Sequence, residues 1–276
     1  MDTTEAKEIL SKINHTIALK KWEKELIMAV QLGLAKLYLL NPHDDIDGLI
    51  GRRTQDAWKF FKEATSKPNN TDVIETESAN LLIRSIDNRD EFIGKTNITL
   101  QPDFEFRRKQ SKSNKDKSVE SIINTAKNQQ LINAQIAYIL ATAEHESDSF
   151  NTLEEYADGT KYENRSDLGN NEDGDGVRFK GRGYAQLTGR RNYTKYADIT
   201  GIKLVEFPII LMNWAALSAY IIVHGMINGI YTTHKLEKFV NDKEQNFIKA
   251  RRVVNGDDCA EKIAAQAEEW LKKLNS

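Results

Sequence analysis

The chain carries one cysteine, Cys259, in 276 residues. No disulfide can form within it, which suits folding in a reducing compartment. Cys259 itself reads as a small helix residue rather than a reactive thiol. Charge of one sign is missing too: the formal net charge is -2. No global pull toward nucleic acid or an anionic membrane follows from that balance. No long uninterrupted apolar run exists. The most apolar stretch, Ile209 to Ile230, is broken by Asn213, Ser218, His224 and Asn228. It predicts a buried helix, not a membrane span. The opening residues, MDTTEAKEIL, carry acids and no apolar core, so no secretory signal is expected there.

Several chemistries lack their residues. A zinc-protease helix needs a second histidine four positions after His145, and that position is Ser149. The other histidines, His15, His43, His224 and His234, form no close ligand set. NNEDGDG lacks the spacing and the closing glutamate of a calcium loop and predicts a turn. GRGYAQLTG has the wrong spacing for a phosphate or dinucleotide loop. No serine or cysteine nucleophile arrangement stands out, and no cofactor or metal is expected.

What is present is ordinary globular material, 39% hydrophobic and 29% charged, long enough for one large or two small domains. Residues 1–66 are helix-patterned. Trp22, Leu26, Ile27, Val30, Leu34 and Leu37 recur at three- and four-residue steps across positions 20–40. RRTQDAWKFFKEA predicts a second helix with Ala57, Phe60 and Phe61 inward. Ten basic and ten acidic side chains balance there, so the module is no basic adhesive. Residues 67–117 predict a linker with one short helix. Its end, Arg107 to Lys117, holds six basic residues and one acid, a solvated run or an attraction to an anionic envelope. From 118 to 276 the chain is dense again. Helices are expected over 119–130 and 131–147, over 191–201 before Gly201, from Pro208 through 230, and over 245–256 and 259–274. The Gly-, Asn- and Asp-rich middle, 153–184, predicts turns and a small hairpin.

Glu146 ends the apolar run Ile136 to Ala143, at the edge of a core, where partial desolvation suits a general acid. Glu155 follows nine residues later beside Glu154, Asp158 and Glu163. Two carboxyl groups flanking a bond are what glycoside hydrolysis requires. FKGRGYAQLTGRRNY, residues 179–193, adds glycines for close backbone approach and hydrogen-bonding side chains that match sugar hydroxyls. Only Phe179, Ala185 and Leu187 in that stretch invite burial. A buried polar turn that satisfies its own backbone is the competing reading.

Three motifs in order, AEHES (143–147), KGRGYAQLTGRRNY (180–193) and ARRVVNG (250–256), resemble glycoside hydrolase family 19, which comprises chitinases and related endolysins. The likeness covers residues 118–276. It implies a mainly α fold, α+β and lysozyme-like: a two-lobed helical catalytic domain with a small β or irregular element. It implies Glu146 as general acid, Glu155 or else Glu154 as general base, and Thr188 as the group that positions the attacking water. Gln186, Asn192 and Asn255 match sugar-binding positions, Tyr184 a cleft wall, and His145 a substrate contact. After VVNG the sequence departs from the family pattern, with Lys262 as a substitute in the ion-pair network around the base.

Residues 29–64 resemble the small helical peptidoglycan-binding domain through DG-x-x-G-x-x-T, with Asp47, Gly48, Gly51 and Thr54 in place. A packing domain for the enzyme is the alternative. Together the two likenesses imply an endolysin-type, bacteriolytic hydrolase of peptidoglycan glycan strands. It would be made in the cytoplasm, released through a holin-type route, monomeric, and inserted in no membrane. Chitin as substrate, or a non-catalytic wall-binding protein, are the alternatives.

Overall fold

The computed structural model describes residues 1–65, 71–103, 106 and 111–276. Most of the loop at 66–72 and the head of the basic run, residues 107–110, lie outside that set. Among the described residues the chain is mainly helical. In order come α1 (Thr3–Ser11), α2 (Lys24–Lys36), α3 (Arg52–Ala64), α4 (Thr76–Asp87), α5 (Arg89–Ile93), α6 (Ser111–Asn128) and α7 (Asn133–Glu146). Then follow α8 (Asp175–Arg178), α9 (Arg190–Thr200), α10 (Ile210–Asn213), α11 (Ala215–Asn228), α12 (Phe247–Ala250) and α13 (Ala260–Asn275). One two-stranded antiparallel sheet pairs β1 (Ile17–Ala18) with β2 (Val73–Ile74), Ile17 opposite Ile74. No described helix is long and apolar enough to cross a membrane.

The chain divides into two compact units. The first holds the described residues of 1–98, with Phe106 and 193–213. Its α1 opens on Asp2, whose carboxylate accepts from the Thr4 and Glu5 backbone in a capping box. One face of α2, Leu26, Ile27, Val30 and Leu34, is buried as its periodicity demands. That helix is shorter than expected: Trp22 precedes it and Tyr38, at φ +59°, follows its end. The core continues through aromatic contacts, Trp22 to Trp58 at 5.5 Å, Trp58 to Phe61 at 5.4 Å and Phe92 to Phe207 at 4.9 Å. Ala57 and Phe61 face inward on α3 as expected, Trp58 joins them, and Phe60 is half-buried.

Two boundaries are corrected here. Residues 67–117 are not mainly linker: they contribute β2, α4, α5 and the first turns of α6. Ala79, Leu82 and Ile93 are apolar enough to be buried, and α4 packs on α1 and α2. Residues 193–213 belong with the N-terminal unit rather than with 118–276. Backbone bonds from Asn97 to Thr200 O and from Lys203 to Ile93 O, each 2.8 Å, tie them there. Gly94, at φ +97°, makes the approach possible, since a Cβ would lie 2.1 Å from Gly201 O.

The second unit holds the described residues of 99–103, 111–192 and 214–276. Its centre is α7, apolar all round and buried from Ala134 to Ala143, as a core helix should be. Around it pack α13, α6 and α11. The apolar stretch after Pro208 is not one helix but two, parted at Trp214. The helix expected over 245–256 is likewise α12 plus a 3-10 turn at Arg251–Val253. The expected hairpin reduces to isolated bridges, Glu154 with Arg182 and Arg182 with Leu187.

Candidate functional site

The candidate residues lie in the second unit. Helix α7 delivers Glu146 as its last residue. Arg251 Nη1 donates to Glu146 Oε1 at 2.8 Å, and Arg251 Nε donates to Asp258 O at 2.9 Å. Arg251 is 2% exposed and Glu146 19%. The ARRVVNG motif thus contributes a fixed guanidinium to the carboxylate, a role its sequence did not announce. His145, beside Glu146, is half-buried; burial pushes its imidazole below the ordinary value.

The chain then reverses sharply. Asp148, Ser149 and Phe150 hold φ of +49°, +59° and +64°, three successive left-handed residues without a glycine. Such a conformation costs roughly 1–2 kcal/mol per residue. It persists because its neighbours over-determine it. Ser147 Oγ donates to Ala143 O at 2.5 Å and accepts from Phe150 N at 3.1 Å. Ser149 N reaches Glu144 O at 2.7 Å, and the Phe150 ring is fully buried.

That reversal leads to Glu155. Its backbone N–H donates to Gly181 O at 2.9 Å. Its carboxylate divides its work between two sides. Oε1 meets Lys161 Nζ at 2.7 Å and accepts from the Tyr162 hydroxyl at 3.1 Å. Oε2 accepts from Gly181 N at 3.2 Å. The bond to Glu155 raises the Lys161 ammonium above its ordinary value. Burial raises the Tyr162 phenol, which keeps it a donor.

Gly181 is where the pieces converge. A Cβ built on it would lie 2.7 Å from Gln186 Oε1, 3.2 Å from Glu155 Oε2 and 3.4 Å from Thr188 Oγ1. Three expected residues therefore point at one α-carbon, and only a residue without a side chain leaves that corner open. Thr188 Oγ1 donates to Gln186 O at 2.8 Å, which leaves its lone pairs as acceptors. Asn192 Nδ2 donates to Thr188 O at 2.8 Å, which steadies that backbone. Glu154 is occupied elsewhere, with Arg182 at 3.2 Å and Lys180 at 3.4 Å. This geometry favours Glu155 over Glu154 at the corner.

Other expectations are corrected. Tyr184 is not a wall residue: it is fully buried, and its hydroxyl sits 2.6 Å from Ser118 Oγ. A phenol can be buried once its hydroxyl finds a partner. Tyr193 and Arg182 are buried as well, so the 179–193 stretch hides more than its three apolar residues. The cation on Glu155 is Lys161; Lys262 instead acts on His145. Asn255 is exposed and its backbone N–H donates to Arg251 O at 2.9 Å. Within NNEDGDG, Glu172 and Asp175 pair with Arg190 at 2.5 and 2.6 Å. Nothing in the sequence flagged Lys161 or Tyr162.

In the first unit, DG-x-x-G-x-x-T is built around buried Gln31. Its Oε1 accepts from Asp47 N and Gly48 N at 3.1 and 2.9 Å. Its Nε2 donates to Asp47 Oδ1, Leu49 O and Thr54 Oγ1 at 2.9, 2.9 and 3.1 Å. Gln31 thus ties the motif's loop to α2. No family model and no solved structure matches the chain.

Proposed function

We propose that the second unit is a lysozyme-like glycoside hydrolase that cleaves β-1,4 bonds of peptidoglycan glycan strands with inversion. The observation that carries this reading is the convergence of Glu155 Oε2, Thr188 Oγ1 and Gln186 Oε1 on Gly181. A water in that corner donates one hydrogen to Thr188 Oγ1 and the other to Glu155 Oε2. Its oxygen lone pair then attacks the anomeric carbon while Glu155 takes the proton. Glu146 gives a proton to the departing glycosidic oxygen. Oε1 is paired with Arg251, so Oε2 is the oxygen left to take up and deliver that proton. An inverting pair works across a gap of about 6.5–9.5 Å, enough for the water.

The chain acts as a monomer on the wall, after synthesis in the cytoplasm and holin-type release, and takes no cofactor, nucleic acid or membrane. Chitin is the second reading of the substrate. The Gln31 network favours keeping it, because the loop motif that pointed to wall binding has a structural use.

The test is clearing of permeabilised bacteria by the purified chain, with mass analysis of the digest. Expected are glycan fragments with free reducing ends, and the α anomer on first release. Glu146→Gln and Glu155→Gln each abolish release. Peptide or anhydro-sugar products, or full activity in either variant, overturn the reading.

A further inference from the structure

Tyr156 follows Glu155 directly and is 78% exposed, the one aromatic among the large apolar side chains described as exposed. That exposure leaves the ring open to a ligand. This ring is also not free to swing. Its hydroxyl donates to Asp148 Oδ2 at 2.9 Å, a bond that raises the phenol above its ordinary value. Asp148 sits two residues past Glu146, inside the left-handed reversal. The bond therefore links the segment that carries Glu146 to the segment that carries Glu155.

We infer that Tyr156 is a stacking platform for one pyranose ring of the glycan, held beside Glu155 by its bond to Asp148. The chemistry fits. Pyranose rings present a face of C–H hydrogens with partial positive charge, and an aromatic face is electron-rich. A phenol that donates to a carboxylate is richer still. Because the hydroxyl is already pinned, little side-chain freedom is lost when a sugar lands. The exposed ring supplies apolar area on the segment that also carries Glu155, and a mixture of apolar and polar groups orients a carbohydrate.

This inference rests on the proposed hydrolase activity, and its test separates the two. Three variants are compared with the unsubstituted chain: Tyr156→Ala removes the ring, Tyr156→Phe keeps it but loses the bond, and Asp148→Asn weakens the bond. Probes are the N-acetylglucosamine tetramer and peptide-free peptidoglycan strands. Turnover is followed by reducing ends, and binding by calorimetry in a Glu155→Gln background that cannot turn over. Tyr156→Ala is expected to raise Kd and KM about fivefold to tenfold with kcat within about twofold. Tyr156→Phe and Asp148→Asn, which keep the ring but lose or weaken its tie, are expected to raise Kd about twofold to threefold, less than Tyr156→Ala. Melting temperatures near that of the unsubstituted chain show that each variant folds. If Tyr156→Ala binds as tightly as the parent, the platform is wrong although the hydrolase stands. If Phe and Ala are equally damaging, the hydroxyl tie alone matters and the platform again falls. If the parent cleaves neither probe, both readings fall.

Discussion

Arg251 holds Glu146 by a 2.8 Å bond from a guanidinium that is almost wholly buried. The second anchor of that guanidinium, Asp258 O, is a carbonyl and brings no charge. Removing the glutamate therefore leaves a buried cation without its counter-charge, and breaking such a pair from one side costs about 3–5 kcal/mol. Glu146→Ala should lower stability by about that much. Glu146→Gln keeps an acceptor oxygen for Arg251 and should lose clearly less. Both should be inactive. Urea unfolding of the two variants checks the pair; equal midpoints would show that Arg251 does not depend on the charge.

Gly181 has no left-handed backbone to protect, so alanine fits its conformation. The atoms it meets are the ends of side chains, Gln186 Oε1 at 2.7 Å above all. Gly181→Ala should stay within about 1 kcal/mol of the parent in stability. Displacing the corner by about an ångström should cost about 100-fold in kcat. Reducing-end assays beside a melting curve decide it, and full activity would remove the corner from the mechanism.

His145 makes stability depend on pH. Burial lowers its folded value, with Lys262 and Arg251 acting the same way and Glu146 opposing. The unfolded chain then binds a proton more readily than the folded one. The contribution is complete above the unfolded value near 6.5 and is lost as pH falls through the folded value. Between about pH 7 and about pH 5 the parent should lose more thermal stability than His145→Gln. Parallel curves for the two proteins would contradict this.

Gln31 lies within hydrogen-bond reach of five polar groups of the first unit, its oxygen taking two backbone N–H bonds and its two amide hydrogens shared among three acceptors. Gln31→Leu strands two backbone N–H groups, and each unsatisfied buried donor costs about 1–3 kcal/mol. A loss of about 2–4 kcal/mol is expected, with faster amide exchange at Asp47 and Gly48. Unchanged exchange at those two amides would show that water replaces Gln31 without penalty.

Local pattern carried much of this protein. Helix α3 spans the residues its periodicity predicts, and the apolar run before Glu146 is the core helix α7. Both follow from side chains three and four positions apart, a relation the chain encodes next door to itself. The turn-rich middle and the break at Gly201, at φ +75°, are local in the same sense. Residues Gln186 and Thr188 were legible as candidates because they share one short motif with Gly181.

Partnership over distance was decided by the tertiary structure alone. Glu146 meets Arg251 from 105 positions away, and Tyr184 buries its hydroxyl against Ser118 from 66 away. Residues 193–213 leave their sequence neighbours for the N-terminal unit through backbone bonds that no side-chain pattern records. Lys161 and Tyr162 lie near Glu155 in sequence, yet their approach depends on how an irregular loop closes. Periodicity states which face is apolar; which cation each carboxylate pairs with depends on what the rest of the chain packs against it.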